Sequence, residues 1–180
     1  MSQSYPRPEA KDDVLSNIRE ARAELEASFA GLSQETLTGP VTDGGWSIKD
    51  HLAHIAEWQR RGLAVIAGKH PADGFDIDRA TFEDLRDVHA INELLFQRHK
   101  DRPLGEVIED FRATHQRVEE TIQAMSEEDL QRPLTGKIAE RFPRVVDIVN
   151  FNFARHDRVH IPDIQGLAGT VERVDDTLTR

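Results

Sequence analysis

Apolar residues recur at steps of three and four along four long stretches of this chain, a period that leaves few folds open other than packed helices. From about Glu9 to Leu32, Val14, Ile18, Ala21, Leu25, Phe29 and Leu32 form one stripe. A second stretch begins near Ser47 and carries Ile48, Leu52, Ile55 and Ile66. The third runs through Leu104, Ile108, Phe111, His115, Val118, Ile122 and Met125. In the fourth, Val145, Val149, Asn152, Phe153, His156, His160, Ile164 and Leu167 share one face. No segment shows the two-residue alternation of a half-buried strand. The expectation is an all-α four-helix bundle.

Helix signals bound these stretches. Ser47 with Asp50 three residues on makes an N-cap with an acidic first turn. Pro103 and Pro143 open the third and fourth helices at the position proline favours. Pro162 is placed to kink the fourth helix or end it early. Gly31, Thr38-Gly39-Pro40 and Asp43-Gly44-Gly45 mark a loop after the first helix. Asp73-Gly74 starts a connection too long for a hairpin between adjacent helices. Part of it, from about Thr81 to Gln97, has a helical pattern of its own. The expected topology is therefore a bundle with a long crossover connection carrying an extra helix. Ser126 to Asp129 caps a short turn closed by Pro133, and the stretch from Thr135 to Phe142 reads as irregular. The 180 residues make one domain over 9–167, with a flexible N-terminus at 1–8 and a frayed tail at 168–180.

Charge and cysteine content narrow the chemistry. With 33 acidic against 23 basic residues the net charge is −10. The bases are scattered among acids, so the clustered cationic face needed to displace counterions from nucleic acid is missing, and no nucleic-acid partner is expected. No apolar run approaches the length of a membrane span. The N-terminal MSQSYPRPEAKDD lacks the apolar stretch of a signal peptide, so a cytoplasmic location is expected. There is no cysteine. Any metal must be held by histidine and oxygen donors, and any thiol chemistry must use a thiol from outside the chain.

On the fourth helix His156 and His160 occupy positions where the pattern asks for core residues. Four apart, their rings project from one side on successive turns, a geometry from which two imidazoles can chelate one ion. HxxxH is common, and the competing reading is a pair of hydrogen-bonded core histidines. A third donor could be His51 or His54 on the second helix. Spacing alone leaves the choice open, with a slight preference for His51, which lies nearer the centre of the Ile48–Leu52–Ile55 stripe.

The segment Gly45-Trp46-Ser47-Ile48-Lys49-Asp50-His51-Leu52-Ala53-His54-Ile55 resembles the second-helix signature of the DinB-like superfamily. That group includes the DinB family proper, the N-terminal domains of maleylpyruvate isomerases and the ClbS/DfsB-like proteins. In that signature Trp-Ser opens the helix and a metal-binding histidine follows eight residues after the Trp, which falls on His54. The family's other two ligands form an HxxxH pair on the last main helix, matching His156 and His160. The segments from Val88 to Glu93 and from Arg98 to Val107 are similar to the middle of maleylpyruvate-isomerase-like and ClbS/DfsB-like members. The resemblance runs from about residue 10 to 167. It implies a DinB/YfiT-like bundle with a divalent metal (Ni, Zn, Mn or Fe) on His54, His156 and His160. His51 is then not a ligand. Three imidazoles leave coordination positions open, as in catalytic sites. An ion so held would acidify water or a low-molecular-weight thiol and polarise a carbonyl. Its affinity should fall as pH drops through about 6.5.

Other residues have a functional and a bland reading. Glu57 could orient a ligand or act as a base, yet as a carboxylate on a charged helix it reads more simply as solvated. Trp58 could wall the pocket or only pack, and Trp46 anchors the start of the helix. His115 stands in the apolar line of the third helix, as a cavity lining, a fourth donor or a satisfied core histidine. Asn92 matches a recurring family position and could reach the pocket. Asp157 points about 100° away from His156 and is a poor partner for it. His70, His89 and His99 read as ordinary surface or packing residues.

Three functions compete. The resemblance implies a metal-dependent enzyme performing thiol-dependent transfer, isomerisation or hydrolysis on a small reactive electrophile. A metal-free ClbS/DfsB-like small-molecule binding or self-protection protein is the alternative. The third is a domain whose histidines serve stability alone. A homodimer is expected, since bundles of this kind often pair.

Overall fold

Five of the described α-helices begin where a serine or aspartate supplies an oxygen to cap them. The computed structural model describes residues 5–39, 45–85 and 87–178, with side chains to residue 169. The loop signals at Pro40 and Asp43-Gly44, the chain start at 1–4 and the last two residues lie outside it. The long helices are α1 (Lys11–Phe29), α3 (Ile48–Ile66), α7 (Leu104–Ala124) and α10 (His156–Leu178), the last preceded by α9 (Val145–Val149) and a π-helical turn over Asn150–Arg155. Short helices fill the connections: α2 (Gln34–Thr38), α4 (Pro71–Gly74), α5 (Arg79–Asp84), α6 (Val88–His99) and α8 (Glu127–Gln131). Among the described residues there is no strand, only an isolated bridge between Pro133 and Arg144. The fold is all-α.

Capping explains where the structure departs from the sequence pattern. Ser33 accepts a hydrogen bond from the Thr36 amide at 3.1 Å and starts α2 inside what reads as loop. The helical pattern at 81–97 is two helices, because Leu85 is extended (ψ 110°) and Asp87 caps a new start by accepting from Ala90 at 2.9 Å. Ser126 and Asp129 cap α8 reciprocally, as expected. Gly68 takes φ +73° directly after α3, where its amide bonds the Val65 carbonyl and a side chain would strain the turn. Pro162 lies inside α10 without ending it, and the helix continues past 167 to Leu178. No proline or glycine interrupts residues 170–178. At the other end, Pro8 offers its carbonyl to Asn150, and the Tyr5 ring lies 5.5 Å from the Arg155 guanidinium, so residues 5–8 run along the body.

The core is two apolar halves with a polar level between them. One half joins Val14, Ile18 and Ala21 to Val118, Ile122, Val145, Ile148, Val149 and Phe153. The other joins Leu25 and Phe29 to Ile48, Leu52, Ile55, Phe111, Ile164 and Leu167. At the junction each long helix contributes a buried polar residue: Arg22, Gln59, His115 and Asp157. A satellite cluster of Phe75, Ile77, Ile91 and Leu95 docks the crossover helices against Trp58 on α3.

Helix α3 approaches the π turn closely at Gly62, where an added Cβ would stand 2.8 Å from Cε1 of Phe153. Phe153 is fully buried and cannot swing away. Overpacking of this kind costs about 1–3 kcal/mol, against about 1 kcal/mol recovered from alanine's better helix propensity. Gly62→Ala should therefore lower the melting temperature by roughly 2–4 °C. A melt at or above wild type would show that the ring has room.

Candidate metal centre

The start of α3 is held from several sides, which sets the direction of the histidines one turn later. Asp50 Oδ2 accepts from the Ser47 amide at 2.9 Å and from the Ser47 hydroxyl at 2.7 Å. Lys49 Nζ donates to Asp50 Oδ1 at 2.7 Å and to the Lys100 carbonyl at 2.8 Å, tying α3 to the end of α6. From this anchor His51 and His54 project three residues apart on one face.

The opposing wall is α10. A π turn over Asn150–Arg155 inserts extra backbone before His156 and changes the phase of the helix there. Residues on both sides of the turn are thus buried against different neighbours. Val145 and Val149 enter one apolar half, His156 and His160 face α3, and Asp157 is sealed against Gln59.

Four histidines meet here. Ring centroids lie 5.1 Å apart for His54 and His156, 4.9 Å for His54 and His160, and 4.8 Å for His156 and His160. His54, His156 and His160 each offer a nitrogen within 4.8 Å of the other two and could hold a metal ion. His160 Nε2 and His156 Nε2 are 3.3 Å apart. Two nitrogens bound to one ion at about 2.0–2.1 Å and a tetrahedral angle stand roughly 3.3 Å apart. Nδ1 of His54 and Nδ1 of His156 are buried without a partner among the described residues. Burial drives the pKa of His54 and His160 well below the ordinary imidazole value, with neighbouring histidine charges adding to it. His156 is pushed down to about 3 by burial and then by Arg155 and Arg61. The rings are neutral at pH 7, the form in which imidazole binds a metal. The donor set fits a divalent ion.

His51 belongs to the same cluster. Its Nδ1 lies 3.2 Å from Nδ1 of His160, and His51, His160 and Asp163 form a second group able to hold an ion. Trp46 covers both α3 histidines, with its ring 5.4 Å from His51 and 4.9 Å from His54, and it stacks on Phe96 at 5.9 Å. Trp58 closes another side, 6.0 Å from the His54 and His156 rings. The cavity touching His54 measures only about 10 Å³, room for roughly one water molecule.

Other expected candidates lie elsewhere. Glu57 is not solvated. It is buried, hydrogen-bonded to His99 and ion-paired with Arg60 at 3.0 Å, because α3 turns that face toward α6. His99 is thereby a buried partner, not a surface residue. His115 belongs to neither histidine group. It bonds Glu119 at 3.1 Å, and burial lowers its pKa to about 4, with the nearby Arg22 adding to the effect. Asn92 accepts from the Trp58 indole N–H at 3.1 Å, so it positions a wall of the site instead of entering it. Sequence reasoning set Asp157 aside as a partner for His156 and missed its burial against Gln59, although it stands four residues beyond Phe153 in the buried line; it passed over Arg61, whose charge gives no periodic signal.

The profile of the DinB superfamily matches residues 17–164. Three solved structures have a similar fold. One is a protein from Streptococcus pneumoniae, 14% identical, with a TM-score of 0.67 and 92% of each chain covered. Another is an uncharacterised protein from Escherichia coli UTI89, 13% identical, with a TM-score of 0.69 and coverage of 92% of this chain and 96% of that one. The third is an uncharacterised protein from Clostridium difficile 630, 15% identical, with a TM-score of 0.69 and coverage of 88% and 95%. No curated protein matches the chain. Among the described residues no helix is long and apolar enough to cross a membrane.

Proposed function

The chain belongs to the DinB superfamily, and from that premise we propose that it is a metal-dependent enzyme acting on a small reactive electrophile by thiol-dependent transfer, isomerisation or hydrolysis. One observation carries the reading: three neutral imidazoles, buried at His54 and half-buried at His156 and His160, converge from two helices. A divalent ion held there supplies Lewis acidity, acidifying a water or thiol and polarising a carbonyl. Three nitrogen donors suit Ni, Zn or Fe, with Mn a weaker fit. Since the chain has no cysteine, any thiol comes from a low-molecular-weight cofactor.

The protein's own residues orient and shield the site. When Nε2 of His160 faces its neighbours, its Nδ1–H is left to donate to Nδ1 of His51. His51 then fixes the tautomer and ring plane of His160 as a positioning residue. Trp46 and Trp58 exclude water, and Asn92 keeps Trp58 in place. His51→Ala is accordingly expected to weaken metal binding by about 10–100-fold. Calorimetry with Zn(II) checks this, and unchanged affinity would remove His51 from the site.

The enzyme reading is tested by metal analysis of protein purified without an affinity tag, combined with anomalous scattering at the three histidines. One equivalent of metal at that point is expected. Its absence after reconstitution would favour the second reading, a metal-free small-molecule binding or self-protection protein. That reading draws on the narrowness of the cavity at His54, beside a much larger one near Arg61.

A further inference from the structure

Among the described residues Arg61 has no carboxylate to face. Its Nη1 reaches only Asn152 Oδ1, at 3.4 Å, and its guanidinium lies 5.2 Å from the centre of the Trp58 ring. Arg22, Arg60 and Arg158, which are also largely enclosed, each sit against a carboxylate at 2.8–3.0 Å. Enclosing a cation without a counter-charge is costly, and the charge that acts on Arg61 is another cation, Arg141. Both its burial and Arg141 oppose the charge on Arg61, whose pKa falls to about 10. It still carries that charge at neutral pH.

Arg61 opens onto a cavity of about 1190 Å³. The wall carries Arg61, Lys69, Arg79, Lys137 and Arg141 against only Asp73 and Glu140, in a protein whose net charge is −10. Asp73 is already paired with Arg79 at 3.2 Å. The guanidinium is also held in place. An added Cβ on Gly74 would stand 2.5 Å from the Arg61 Cα, so α4 packs directly on this turn of α3. Trp58 lies beneath the guanidinium, held by Asn92, and Asn152 Nδ2 donates to the Trp58 carbonyl at 3.0 Å. Apolar surface is supplied by Phe82 and Ile138.

We propose that this basin binds a small organic acid, with its carboxylate or phosphate group paired with Arg61 and Arg141 and its apolar body against Phe82 and Ile138. A planar guanidinium fork matches either oxyanion. Trp58 contacts both Arg61 and the His156 ring and so links the basin's arginine to the histidine cluster. That the acid is the substrate rests on the metal-dependent reading above. That the basin binds it does not.

Benzoate, phenyl phosphate and inorganic phosphate, titrated into the full-length protein by calorimetry and tryptophan fluorescence, separate the two head groups and the apolar contribution. Saturable binding of benzoate or phenyl phosphate is expected, tighter than that of inorganic phosphate. Arg61→Gln should weaken it by at least about tenfold while melting no lower than wild type, because an unpaired enclosed charge is removed. Arg141→Gln, at an exposed site, should weaken it by about threefold. His54→Ala should leave it unchanged. No saturable binding by any probe, or undiminished binding by Arg61→Gln, would overturn the proposal. So would loss of binding in His54→Ala alone, which would place the anion at the histidines. If Arg61→Gln fails to fold, Arg61→Lys replaces it, keeping charge but not the fork. Unchanged affinity in that variant counts against the site.

Discussion

Alanine at His54, His156 or His160 is expected to lower the affinity for a divalent ion by about a hundredfold or more, because two imidazoles seldom hold an ion against solvent. Titration of Zn(II) or Ni(II) into each single variant measures this directly. The protein should stay folded in all three, since both apolar halves of the core pack without the site. The pH dependence is diagnostic. An exposed histidine would lose its metal as pH falls through about 6.5. Here burial holds His54 and His160 well below that value and His156 near 3. Protons therefore compete only in more acidic solution, and affinity should stay nearly level through 6.5. The same groups fix a sign for the apo protein. Their folded pKa is depressed relative to the unfolded chain, so their contribution to stability is complete above about 6.5 and is lost as pH falls below it. Metal affinity that survived all three substitutions would end the assignment of this centre.

The second large effect is at Asp157, which is completely buried in the polar level of the core. Gln59 Nε2 donates to Asp157 Oδ1 at 3.0 Å, while Asp157 Oδ2 and Gln59 Oε1 are left as buried acceptors with no partner among the described residues. A proton on Oδ2 would let the acid donate to the amide oxygen and satisfy both. Burial raises the pKa of Asp157 to about 7, with Arg22 acting in the opposite direction. The folded value is above the unfolded one, so the contribution to stability is full below about 3.9 and is lost as pH rises through about 7. Asp157→Asn supplies a permanent donor in nearly the same volume. It should stabilise the metal-free protein by a few kcal/mol at pH 8, on the order of the shift multiplied by 1.4 kcal/mol per unit. At pH 5, about one unit above the unfolded value, the gain should shrink to about 1.5 kcal/mol. Thermal melts in chelator at the two pH values decide the matter. Equal destabilisation at both would mean that the carboxylate is needed in its charged form.

The two predictions share a setting that local pattern reveals only in part. Arg22, Gln59, His115 and Asp157 stand among apolar residues on four separate helices. Of these, His115 alone is legible as an anomaly in the third helix's apolar line. Arg22 and Gln59 read as ordinary polar neighbours of the stripe, and only packing shows that they occupy one level between two apolar halves.

The one-dimensional pattern determined the all-α class, the caps at Ser47 and Ser126 and the chelating spacing of His156 and His160, because each depends on residues within one or two turns of each other. The family signature added His54, which periodicity could not separate from His51. Tertiary structure alone decided the rest. The π turn at Asn150–Arg155 changed the phase of the last helix, so a straight 3.6-residue reading could not show that Asp157 is sealed in the core while His156 faces α3. The crossover helices turned Glu57 from a solvated carboxylate into a buried partner of His99 and carried Asn92 to Trp58. His51 met His160 across 109 positions of sequence, and the packing of α4 and the π turn around Arg61 left it without a counter-charge among the described residues. Such relations follow from how helix faces dock and which charges are sealed in together, and local spacing carries no record of them.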